Sequence, residues 1–184
     1  MKDSEVRFSQ RVDGLRRVVR VALHLLASMR VAIVGQSMQP TLRDGDQLLV
    51  SRLAYRLGRP RRGEIVLVRA GAGGAHNPES IKRIVGLPHE HVQVIAGEVR
   101  LDGRPLPEPY LPTPASEAER AMLAAALAVT PSCDWQLGAD EYIVLGDNRV
   151  RSTDSRTYGP VGRRSIVGRA WYRYAPRERT GRLQ

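Results

Sequence analysis

At 184 residues the chain is long enough for one good hydrophobic core and short for two, so one domain with extensions is expected. The formal net charge of +10 comes almost entirely from arginine, which forks onto phosphates and suits an anionic partner, although a solvated basic surface gives the same composition. A lone Cys133 excludes an intrachain disulfide, and the scattered His24, His76, His89 and His91 form no zinc-type cluster, so no metal and no cofactor is expected.

Residues 1–30 are basic. Val12, Leu15, Val18, Val19, Ala22, Leu25, Leu26 and Met29 stripe one helical face, with Arg16, Arg20 and His24 on the other. The longest uncharged run, Val21 to Met29, is nine residues, whereas a bilayer-spanning helix needs about 20. A membrane span is therefore not expected, nor is a cleavable secretory signal, because charge interrupts the apolar stretch. The segment reads as a basic amphipathic helix lying on an anionic membrane surface, or as one packed against the protein or a partner.

Val31 to Val34 is a β-prone apolar run that stops at Gly35 and delivers Ser37 and Met38 into a Pro-containing turn. Asp44-Gly45-Asp46 then opens a strand over Gln47 to Val50. A basic connection with Arg52, Arg56, Arg59, Arg61 and Arg62 leads to the strand Ile65 to Val68, and the Gly-rich Ala70 to Pro78 reads as a flexible turn. A strand beginning near Ser80 carries Lys82. Val92 to Ile95 and Val99 to Leu101 form a hairpin about Ala96-Gly97-Glu98, followed by the Asp102-Gly103 turn signal. Ser116-x-x-Glu119 is a capping box ahead of a short helix over Arg120 to Val129. Glu141 to Leu145 and Ile166 to Tyr174 read as the last strands.

Three motifs stand in order along this frame: G-Q-S-M-Q-P-T-L-R-D-G-D around Ser37, S-I-K-R-I-V-G-L-P around Lys82, and G-D-N-R continuing to S-T-D-S-R from Gly146 to Arg156. Together they resemble the nucleophile box, lysine box and C-terminal signature of type I signal peptidases, the Ser/Lys serine endopeptidases that remove leader peptides from exported preproteins. The resemblance covers about residues 31 to 172. It implies a mostly β fold of antiparallel sheets; with the residue-level readings above, the chain divides into a basic amphipathic helix over 1–30, a peptidase domain over 31–176 with a helical insertion about 114–130, and a basic tail over 177–184.

It also implies roles. Ser37 becomes the nucleophile, with its backbone N–H in the oxyanion site, and Lys82 the general base. Ser152 supplies a hydroxyl that orients the lysine. Asp154 with Arg156, and Asp147 with Arg83, become supporting pairs, and Met38, Leu42 and Ile81 line shallow pockets for the small residues of an Ala-x-Ala signal. The chemistry makes one severe demand: a lysine in water titrates near about 10.4, so Lys82 has to be buried among apolar neighbours to act as a base. The chain departs from the family pattern in three ways: no clear membrane span precedes the serine, Gly35 stands where many relatives have a hydroxyl donor, and Pro88-His89-Glu90 replaces a Pro-Gly-Asp turn.

The expected partners are a preprotein signal peptide and an anionic membrane surface, with peripheral membrane association or, alternatively, a soluble form, and no nucleic acid; oligomeric state is not legible. Three alternatives remain. A dedicated Ser/Lys peptidase maturing a metalloenzyme precursor fits the missing span and the ending Trp171 to Pro176. A self-cleaving repressor-type protein needs an Ala-Gly bond before its serine, and none precedes Ser37. A basic nucleic-acid-binding domain leaves the three motifs unexplained and lacks stacking aromatics.

Overall fold

The computed structural model describes residues 28–56, 58–70 and 79–183. Among the described residues twelve strands build two antiparallel sheets. The larger contains β1 (Ser28–Ala32), β2 (Gln47–Ser51), β3 (Ile65–Arg69), β4 (Glu79–Gly86), β9 (Glu141–Leu145), β10 (Val161–Gly162), β11 (Ile166–Ala175) and β12 (Gly181–Arg182), in the order β1-β2-β11-β3-β4-β9-β10 with β12 on β11. The smaller pairs β7 (Arg104–Pro105), β6 (Glu98–Leu101), β5 (His91–Ile95) and β8 (Cys133–Gln136). Helix α1 (Glu117–Ala128) is inserted between β7 and β8, and the short α2 (Ser155–Tyr158) follows β9. This is the mostly β, antiparallel architecture expected from the sequence.

Alternating side chains divide the core among the layers. Leu48, Val50, Ile65, Leu67 and Ile81 bury against Met38 and Leu42 beneath the turn that carries Ser37. Val66, Val68, Ile84, Tyr142 and Val144 fill the opposite side of the large sheet. Val92, Val94 and Val99 of the small sheet close on Val85, Ile143 and Leu145. Because β4 contributes to all three clusters, it is the element around which both sheets pack.

Several boundaries differ from the sequence reading. The helix proposed over 1–30 lies outside the described residues except for Ser28 to Arg30, which belong to β1. The first strand ends at Ala32 rather than Val34, because Gln47 is the last partner β2 offers; Ile33 is still held by Asp46 O (2.8 Å) and Gly45 N–H (3.0 Å). The turn expected over Ala70 to Pro78 falls largely outside the described residues, 71–78 among them. Both hairpin turns use left-handed backbone pairs, Ala96-Gly97 (φ 45° and 76°) and Asp102-Gly103 (φ 48° and 78°), as type I′ turns require. The inserted helix is capped as expected: Ser116 Oγ accepts from Glu119 N–H (3.1 Å), while Glu119 reaches back to Ala115 N–H (2.7 Å). β8 was not anticipated; its Cys-Asp-Trp-Gln sequence lacks an apolar alternation long enough to announce it.

The segment read as a basic tail is tied down. Gly181–Arg182 pairs with β11, and Arg179 Nη1 meets the buried Asp46 carboxylate at 2.9 Å. Arg173 reaches the same carboxylate at 3.3 Å, and both arginines donate to Thr41 O. The C-terminal segment thus braces the turn that follows Ser37.

Candidate active site

Ser37 sits in a tight turn entered through Gly35, whose φ of 90° belongs to the left-handed region that favours glycine. Asp44 Oδ1 accepts from Gly35 N–H (2.7 Å), Leu42 N–H donates to Met38 O (2.9 Å), and the Gln39–Pro40 bond is cis. From the other side, Asn148 N–H donates to Ser37 O (3.0 Å) and Asn148 Nδ2 to Gln36 O (3.2 Å). Among the described residues the Ser37 N–H has no acceptor of its own.

β4 brings Lys82 to this turn. Its Nζ lies 3.2 Å from Ser37 Oγ and 3.0 Å from Ile81 O, with the residue only 3% exposed. Burial pushes the Lys82 ammonium below its ordinary value, and the negative charge of Asp154 opposes this in part. Burial would likewise raise the Asp154 carboxyl, but the Arg156 guanidinium, the Gly146 N–H (2.9 Å) and the Ser152 hydroxyl nearby together hold it below the usual carboxylate range.

The two supporting pairs form as expected. Arg83 grips Asp147 with two bonds, 2.9 and 2.8 Å, both side chains almost wholly buried, and Thr41 Oγ1 donates to the same carboxylate at 2.5 Å. Arg156 holds Asp154 at 2.9 Å. Ser152 departs from expectation. Its Oγ is buried beside Gly146 but lies outside hydrogen-bond geometry with any described group, so the bond expected to Lys82 is not made. Lys82 donates to Ile81 O instead.

A groove of about 220 Å³ ends at Ser37 and Lys82, walled by Val31 to Val34, Met38, Leu67 and Glu79 to Ile81. Met38 and Ile81 therefore line it. Leu42 does not: it is fully buried beneath the turn, in the core with Leu48 and Val50.

Sequence reasoning missed two contributors. Arg149 is buried and joins three segments, donating to Gly146 O (3.1 Å), Gly97 O (2.7 Å) and Glu108. Tyr110 donates to Glu108 and lies under the Arg83 guanidinium, 3.9 Å from ring centroid to Cζ. A signal for Lys82 itself was also overlooked. Of 29 basic residues only Lys2 and Lys82 are lysine; a chain that charges its surface with arginine keeps this one side chain that deprotonates when buried.

The family model described as signal peptidase, peptidase S26, matches residues 16–175. The chain belongs to the S26 signal peptidase family. Members of this family are serine endopeptidases, and this chain is one. Among its relatives, a signal peptidase I of Leptolyngbya laminosa is 35% identical over 98% of this chain and 85% of its own length. Signal peptidase I T of Bacillus subtilis is 33% identical over 78% of this chain and 72% of its own length. A crystal structure of a signal peptidase I from Enterococcus faecalis is 26% identical, with a TM-score of 0.47 over 61% of this chain and 97% of that one. No helix among the described residues of this signal peptidase family member is long and apolar enough to cross a membrane.

Proposed function

We propose that this endopeptidase cleaves signal peptides from preproteins after small residues, with Ser37 as nucleophile and Lys82 as general base. The observation that carries the reading is the 3.2 Å separation of a buried amine from a serine hydroxyl at the end of an apolar groove. Neutral Lys82 takes the Ser37 proton as Oγ bonds to the scissile carbonyl carbon. The carbonyl oxygen becomes an oxyanion beside the unengaged Ser37 N–H. As the C–N bond breaks, the Lys82 ammonium returns the proton to the leaving amine. Water then attacks the ester, giving its proton to Lys82, which passes it to Ser37 Oγ as the acid leaves.

The substrate lies extended between Val31 to Val34 and Ser80 to Lys82 as an added strand. The modest groove with Met38 and Ile81 in its wall suits alanine and excludes bulky side chains. Asp147–Arg83 and Asp154–Arg156 fix the loop that holds Ser37 O, and Asp154 and Gly146 bound the corner of Ser152. The lysine-orienting role falls to Ser152, whose Oγ is buried beside Gly146 and near the turn that carries Ser37.

The protein acts at an anionic membrane surface as a peripheral enzyme. Ser28 pairs with Ser51, so the chain enters from its basic first segment at the sheet end where the exposed Arg52, Arg56, Arg59 and Arg61 begin. Such clusters gain about 1 kcal/mol per arginine near anionic lipid. Incubation with an Ala-x-Ala preprotein, with the cut located by mass spectrometry, tests the activity: cleavage directly after the second alanine is expected, and an intact preprotein contradicts it. Sedimentation with anionic liposomes tests the surface, since no binding at low salt removes that part.

A further inference from the structure

The groove that ends at Ser37 accounts for substrate residues before the cleaved bond. It contains neither Gln36 nor any residue of the 148–151 loop, although both adjoin the nucleophile. Asn148 N–H holds Ser37 O, Asn148 Nδ2 holds Gln36 O, and Arg151 Nη1 donates to Gln36 Oε1 at 2.9 Å. Arg151 N–H in turn donates to Asn148 Oδ1 (3.2 Å). An exposed guanidinium is thereby pinned beside the residue that precedes the nucleophile, outside the groove lining. Three buried arginines around this site differ from it in one respect: Arg83, Arg149 and Arg156 each hold a buried carboxylate, whereas the exposed Arg151 has no acidic partner among the described residues. Asp44, on the same turn as Ser37, is engaged by Gly35 N–H instead.

A peptide filling the groove up to Ser37 leaves it across Gln36 and this loop. Two extended residues span about 7 Å, within the ~10 Å over which exposed charges still act at 0.1 M salt. We propose that Arg151 is a specificity-determining residue that favours an acidic side chain at the first two positions after the cleaved bond, that is, at the start of the mature protein. The inference rests on Ser37 as nucleophile and adds a charge preference that the apolar groove does not supply.

Three peptides identical through Ala-x-Ala, carrying Glu-Glu, Ala-Ala or Lys-Lys after the cut, separate the two claims. The wild-type chain should cleave the Glu peptide with a kcat/KM about five-fold above the Lys peptide at low salt, the size expected of one exposed charge pair, and 0.5 M NaCl should erase the difference. Arg151→Gln should bring the ratio close to one, and Arg151→Glu should invert it, an outcome no purely structural role produces. A ratio near one in wild type, or one that ignores salt, overturns the proposal even if both variants fold poorly. So does a wild-type ratio retained in Arg151→Glu. Normal cleavage of the Ala peptide with no charge preference leaves the nucleophile assignment standing; no cleavage of any peptide overturns both.

Discussion

Gly146 approaches the backbone of Ser37 so closely that a Cβ at position 146 would stand under 3 Å from the Ser37 carbonyl oxygen and from Ser152 Oγ. The first is backbone of Ser37 itself and Ser152 Cβ lies equally close, so rotating the Ser152 hydroxyl alone cannot relieve the contact. Gly146→Ala should cost about 1–3 kcal/mol of stability and remove most activity, because overpacking here displaces Ser37 relative to Lys82. Thermal unfolding and peptide cleavage measured on the same preparation check both halves; a fully active, equally stable variant would mean the contact is looser than described.

The Arg83–Asp147 pair is closed to solvent and also receives Thr41 Oγ1, so it links β4, the loop after Gly146 and the turn that carries Ser37. Asp147→Ala takes away the carboxylate that balances a buried guanidinium, which keeps Gly63 O and the Tyr110 ring among its neighbours. Loss of about 3–5 kcal/mol is expected in urea unfolding, whereas the apolar double replacement Arg83→Met with Asp147→Leu should recover much of it. Equal losses for the single and double variants would contradict this.

Arg179 lies beyond the stretch matched by the family model, yet it meets Asp46 and Thr41 O on the turn that carries Ser37. Asp46 keeps Arg173 when Arg179 is removed. Arg179→Ala should therefore cost only about 1–2 kcal/mol and leave the unfolding transition cooperative. Differential scanning calorimetry reads this directly, and an unchanged Tm would show that the brace is idle.

The parts of the site that lie within a few residues of a motif were legible in the sequence. Ser37 and Lys82 stand in boxes whose spacing matches a known family, and the Arg156–Asp154 pair is local. The Arg149–Glu108 and Arg179–Asp46 contacts were not, since their partners lie 41 and 133 residues apart and no periodicity links them. Leu42 misled because an apolar residue near a nucleophile reads equally as pocket wall or core; only the way the turn folds back decides that it is core. The first strand runs from Ser28 to Ala32 instead of Val31 to Val34 because its ladder is set by β2, not by where its own apolar run ends.

Lys82 also links activity to stability. At neutral pH its ammonium is charged in the unfolded chain, and burial makes that form costly in the folded one. As pH rises from the lowered folded value towards about 10.4, the folded state gives up its proton first and the penalty is relieved, so wild-type stability increases across that window. Lys82→Met should be inactive yet more stable at pH 7, by about 1–2 kcal/mol, with the gain shrinking as pH nears 10. Denaturant midpoints across pH test this; a gain that stays constant with pH would point to packing instead of charge.

The composition of the chain permits one decisive titration. With lysines at positions 2 and 82 alone, selective carbon-13 labelling of lysine gives two Cε resonances, and Lys82→Met assigns them. Lys82 should lose its proton at distinctly lower pH than the about 10.4 of a lysine in water, in step with the rise of kcat/KM for an Ala-x-Ala peptide. Two resonances that both titrate near 10.4, with cleavage already at its plateau well below that pH, would contradict Lys82 as the base that activates Ser37.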